Sequence, residues 1–132
     1  MRKILFLCLL GLNFANTSIA QQKVTIPSKD SLPITADMYS VDESKPYIIL
    51  CHQAGYSRGE YKEIATKLNK LGYNCLAIDL RSGGEVNGIK NETAAAALKK
   101  KKPQGYLDAE QDIVAALDYL YEKFEAFLKT LN

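Results

Sequence analysis

The apolar and polar positions along the chain fall into patterns of two kinds. Residues 23–26 and 34–39 alternate apolar with polar side chains, and Pro27, Lys29, Asp30, Ser31 and Pro33 between them have the composition of a turn. A period of two sets one face of a strand against a core, so these segments predict an antiparallel hairpin. Residues 47–51 and 74–80 are instead mainly continuous in their apolar character, the pattern of strands covered on both faces. Between them Tyr61, Ile64, Ala65, Leu68 and Leu71 recur at helical spacing, which predicts a helix over 60–71, and Gly72 stands where a left-handed cap commonly ends one. A strand, a helix and a strand in succession make the two strands parallel neighbours.

Residues 107–128 predict a second helix with Ile113, Leu117, Leu120 and Phe124 on one stripe. Asp108, Glu110, Gln111 and Asp112 crowd its first turn, where the helix dipole favours negative charge. Residues 87–105 are less regular: four alanines at 94–97 lead into four lysines and Pro103, which predicts a short helix in a solvated excursion. The expected fold class is α/β, an antiparallel first hairpin followed by parallel strands with crossover helices, in one domain over 21–132.

The first twenty residues read as a leader for export. Arg2 and Lys3 precede a compact apolar run, and Ser18 and Ala20 place small residues where a signal peptidase cuts. The run is too short to span a bilayer. Cys8 lies within it without small residues just before it, so it reads as part of the leader and not as a lipid-attachment site. Removing the leader takes two basic residues and no acidic one from the 17 basic and 15 acidic residues, which leaves the charges balanced. The basic footprint of a nucleic-acid binder is absent. The lysines at 99–102 read as a solvated loop, with a patch for anionic envelope surfaces as the sharper alternative.

Two cysteines remain, Cys51 and Cys75. Aligned in a parallel pair they are offset by three or four residues, roughly 10 Å, too far for a disulfide, so two buried thiols are expected. A single histidine, His52, and no close pair of cysteines give no zinc site. Asp108, Asp112 and Asp118 recur at helical intervals without an oxygen-rich loop; they read as charges on the helix surface.

Several motifs in their order carry a resemblance. His52-Gln53-Ala54-Gly55 follows the third strand, Gly72-Tyr73 precedes the fourth, Asp79-Leu80-Arg81-Ser82-Gly83-Gly84 follows it, and Asp112-Ile113-Val114-Ala115-Ala116-Leu117-Asp118-Tyr119-Leu120 forms the late helix. Together they resemble the amino-terminal half of an α/β-hydrolase, closest in character to small exported dienelactone-hydrolase-like or esterase-like members, over about residues 24–124. The resemblance implies that His52, Gln53, Ala54 and Gly55 form the oxyanion loop, with the Ala54 N–H as donor and that of Gln53 second. It implies a small ester-type substrate for the complete family and no cofactor. That role needs backbone and not side chain, because a donor fixed at the end of a buried strand meets the developing alkoxide without rearranging. The plain alternative is an ordinary loop in which His52 bonds its neighbours.

Gly55-Tyr56-Ser57-Arg58-Gly59 matches Gly-x-Ser-x-Gly between a strand and a helix. A nucleophile elbow follows its strand directly, whereas here three residues intervene, and no histidine follows Ser57 to serve as its base. The expected task of Ser57 is to cap the helix that begins near Glu60. His52 and Asp79 are expected at matching ends of neighbouring strands, where a contact between them would be structural.

In the family a later strand presents the nucleophile; residues 125–132 hold no such motif. The expectation is the front part of an exported ester or acyl hydrolase, without its nucleophile, acid and base. The alternatives are a non-catalytic binding module beside His52 and Asp79, and an exported interaction protein that self-associates through strand 47–51, whose far edge lacks a neighbour.

Overall fold

The structure, a computed structural model, describes residues 20–131. Apart from Ala20, the expected leader and Cys8 lie outside the described residues.

Two antiparallel strands open the fold, β1 (Ala20–Pro27) and β2 (Pro33–Ser40), in register from Ala20 opposite Ser40 to Pro27 opposite Pro33. The predicted hairpin is present, and β1 begins three residues before the alternating stretch. The third strand, β3 (Tyr47–Cys51), is followed by a 3-10 turn (Arg58–Tyr61), helix α1 (Lys62–Lys70) and strand β4 (Asn74–Ile78). β3 and β4 are parallel neighbours as expected, and β4 also pairs antiparallel with β2. The mixed sheet runs β1-β2-β4-β3, so β3 is its open edge among the described residues. Gly72, at φ 89°, ends α1 with its N–H on Asn69 O, and the Tyr73 N–H reaches Leu68 O.

Alternation of side chains sorts the core. Ile34, Ala36 and Met38 of β2 and Leu76 and Ile78 of β4 face one cluster, and Tyr47 and Ile49 of β3 pack at its border. Tyr39, Leu50, Cys75 and Ala77 face the other, against Ala65 of α1. The two faces explain why β3 and β4 are apolar at consecutive positions. Cys51 pairs in register with Ile78 and Cys75 with Ile48, a three-residue offset, and both thiols are free. Cys75 is buried, but Cys51, expected to be, is only half-buried. Burial pushes both thiols up from the ordinary range.

The helices differ from expectation in ways that matter. The predicted helix over 60–71 is a 3-10 turn and then α1, which turns Ile64 and Leu71 outward and buries Ala65 and Asn69. The stretch expected as a solvated excursion is a small hairpin, β5 (Glu85–Val86) and β6 (Ile89–Lys90), followed by α2 (Glu92–Lys99). Asn87 and Gly88 both have positive φ at the hairpin tip, the two-residue turn that matches strand twist. α2 is not solvated on its inner side. Thr93, Ala94 and Ala97 are buried, and Thr93 Oγ1 accepts from the Thr35 N–H at 2.9 Å.

The last helix, α3 (Glu110–Lys129), lies on the face of the first cluster through Ala115, Ala116 and Leu120. Its expected inner stripe is therefore rotated. Leu120 is inside, while Ile113, Leu117 and Phe124 are 39%, 58% and 41% exposed. Asp112 is fully buried and not a surface charge, and among the described residues no helix is long and apolar enough to cross a membrane.

Candidate functional site

The loop after β3 begins with His52, which the structure holds by both ring nitrogens. The Leu80 N–H donates to Nε2 at 2.9 Å, and Nδ1 lies 2.9 Å from Gln53 O. An acceptor Nε2 fixes the proton on Nδ1, which then donates to that carbonyl. His52 is buried, and neither nitrogen is free to act as a base. The structural contact considered between His52 and Asp79 does not form. Asp79 is engaged by Arg58 instead, and the imidazole by the Leu80 N–H of the turn after β4.

Gln53 to Tyr56 form a tight turn closed by the Tyr56 N–H on Gln53 O at 3.1 Å, with Gly55 at φ 78°. A positive φ at the third position is the type II geometry, and it asks for glycine there alone. Gln53 thus needs no glycine. Its N–H is taken by Glu60 Oε2 at 2.9 Å, which removes Gln53 as the second donor. Ala54 is exposed, and the N–H groups of Ala54 and Gly55 have no acceptor among the described residues.

A second turn, after β4, locks against this loop. The Gly84 N–H donates to Tyr56 O at 2.8 Å, and an added Cβ on Gly83 would lie 2.2 Å from Tyr56 O and 2.5 Å from His52 Cε1. Only glycine lets the two loops approach so closely. Asn91 binds the junction: its Nδ2 donates to Leu80 O at 2.9 Å and lies 3.2 Å from both Tyr56 O and His52 Nε2, while Oδ1 caps α2 through the Ala94 N–H at 2.7 Å.

Ser57 has no exposed surface. Its hydroxyl donates to Ile89 O at 2.7 Å and accepts from the Gly59 N–H at 3.2 Å. It caps the 3-10 turn and not the α-helix proper, and it has no base beside it, so the Gly-x-Ser-x-Gly match is a structural turn.

Two buried ion clusters frame the loops. Asp79, fully buried, accepts from the Arg58 N–H and the Glu92 N–H at 2.8 Å each and pairs with Arg58 Nη1 at 2.6 Å. Arg58 also meets Glu92 at 2.8 Å and, through Nε, Asp37 at 3.2 Å, a close ion pair without hydrogen-bond alignment. Burial pushes the Asp79 carboxyl up while those donors pull it down. In the second cluster Arg81, also fully buried, binds Asp112 at 2.7 Å and Asp30 at 2.9 Å. Lys102, half-buried, adds its ammonium to Asp30 O at 2.8 Å. Sequence reasoning missed these pairs because partners 21 to 72 residues apart leave no local signal.

His52→Ala removes the acceptor of a buried backbone donor. It should cost about 1–3 kcal/mol and speed hydrogen exchange at the Leu80 amide; an unchanged Leu80 exchange rate would contradict the assigned bond.

A scan against protein-family models finds no match for this chain, and a comparison with curated proteins finds no relative.

Proposed function

We propose that this chain is the oxyanion-loop part of an exported α/β-hydrolase-type protein for ester-like substrates, and that it carries the anion-binding loop without the nucleophile. The observation that carries the reading is the pair of adjacent free backbone donors, Ala54 and Gly55, at the carboxyl end of β3. The site is rigid, because His52, Asn91 and the Gly83-Gly84 turn hold it from three sides. Preorganised donors of this kind stabilise a tetrahedral oxyanion. The mixed sheet, an antiparallel hairpin joined to a parallel pair, is compatible with the α/β class that the resemblance implies. Ser57, buried and without a base, supports the absence of turnover by these residues.

A short alkyl phosphonate, an anion shaped like the tetrahedral intermediate, tests the loop. Amide shifts should be confined to residues 53–56 and vanish in Ala54→Pro, which removes one donor at a turn position that proline fits. Model esters should not turn over, and an activated-serine probe should not label Ser57. Shifts elsewhere only, or labelling of Ser57, would overturn the proposal.

A second reading, an exported interaction protein, is favoured by a different observation: the β3 edge, unpaired among the described residues, beside the exposed stripe of α3.

A further inference from the structure

α3 carries two apolar stripes where one suffices to hold it on the sheet. Ala115, Ala116 and Leu120 form the inner stripe. Leu117, Tyr121, Phe124 and Leu128 form another, 58%, 62%, 41% and 43% exposed. Leu117, Tyr121 and Phe124 border a groove of about 440 Å³ whose opposite wall is Tyr47 and Ile49 of the edge strand. An open strand edge and an apolar helix stripe thus meet in one groove.

The edge of β3, open among the described residues, is self-complementary. The Asn74 N–H donates to Pro46 O, which turns residues 46, 48 and 50 toward β4 and leaves the backbone groups of Tyr47, Ile49 and Cys51 pointing outward. A second β3 laid antiparallel about Ile49 sets Ile49 against Ile49 and Tyr47 against Cys51, outward groups meeting outward groups. The Cys51 carbonyl already accepts from Tyr61 Oη at 2.6 Å but keeps a second lone pair. β3 contains no charged residue, so the paired strands oppose no like charges, and Lys45, which also lines the groove, falls opposite Gln53 of the second copy.

The symmetry also places the helices correctly. A two-fold axis perpendicular to the sheet keeps both copies' α3 on the same face, so the two grooves meet over the Ile49 pair. The exposed parts of the four stripe side chains come to roughly 400 Å² per copy. Doubled and joined to five residues of strand pairing, they reach the ~1,200 Å² at which specific interfaces begin.

We infer that a second copy of this chain occupies the groove, forming a two-fold dimer with a sheet continuous through β3. The inference rests on the interaction reading and is independent of the oxyanion loop. Sedimentation equilibrium of the full chain should give a dimer. Tyr121→Glu and Leu117→Lys, both at exposed positions, should each raise the dissociation constant at least tenfold with unchanged circular dichroism. Ile49→Pro, which removes an outward N–H, should do the same. A dimer indifferent to all three, or open-ended assembly, overturns it. A wild-type monomer at about 100 μM also overturns it, and hydrogen exchange then separates two failures. A freely exchanging Ile49 amide leaves the edge open to a different strand, whereas a protected one shows that the chain covers its own edge and ends the interaction reading as well.

Discussion

Asp112→Ala should lower stability by about 3–5 kcal/mol, while Asp118→Asn, further along the same helix, should change it by less than about 0.5 kcal/mol. The difference follows from position. Asp112 is fully buried and accepts from the Arg81 backbone N–H at 2.8 Å as well as from its guanidinium, whereas Asp118 is exposed. Without Asp112 the buried guanidinium keeps Asp30 alone, and a charge removed from water must be matched by nearby acceptors or it opposes folding. Urea unfolding of the two variants measures the contrast; equal, small losses would show that the cluster contributes little.

Acid should act on the same cluster. The Arg81 hydrogen bonds hold the Asp30 carboxyl well below the ordinary carboxylate range. A carboxyl with a depressed pKa binds its proton less readily when folded than when unfolded, so its stabilisation is complete above about pH 4 and declines as pH falls below that. Asp30→Asn should flatten this part of the stability profile.

The cluster also shows where sequence reading stopped. Strands β2, β3 and β4, the parallel pairing and the Gly72 cap were legible because each leaves a local period or a local glycine. The small hairpin has a local signal too, Asn87-Gly88 between Val86 and Ile89, but its two-residue strands are too short to show an alternating period. The neighbouring alanine and lysine runs suggested solvent for α2, because alanine serves an exposed helix and a close-packed one equally well.

α3 departs from its sequence expectation for a different reason. Its helix carries apolar residues on two stripes, and periodicity cannot say which one the sheet takes. The small residues Ala115 and Ala116 decide it, since they let the helix approach the sheet closely, and that preference also carries Asp112 inward to meet Arg81. At the candidate site, the loop and its glycine were found from sequence. The bonds that fix His52 were not, because Leu80 and Asn91 lie 28 and 39 residues away.

Arg58→Met should produce a comparable loss, about 3–5 kcal/mol at neutral pH, with a pH dependence that identifies its cause. The guanidinium faces three carboxylates, Asp79, Asp37 and Glu92, of which Asp79 is fully buried. Asp79 joins the end of β4 to the 3-10 turn and to the first turn of α2 through the Arg58 and Glu92 N–H groups, so the loss should reach the loop after β3 through its frame. Burial already pushes this carboxyl up, and Arg58 opposes that push. Without Arg58 the folded-state pKa rises further above the unfolded one. A raised pKa means that the folded protein takes up a proton more readily than the unfolded chain, so the variant regains stability as pH falls and loses it as pH rises through the shifted value. The deficit against the parent protein should therefore narrow as pH is lowered from neutrality, as read from urea midpoints at successive pH values. A deficit constant with pH would mean that Arg58 stabilises through packing of its stem and not through the Asp79 charge, and the ion cluster would then lose its place as the frame of the site.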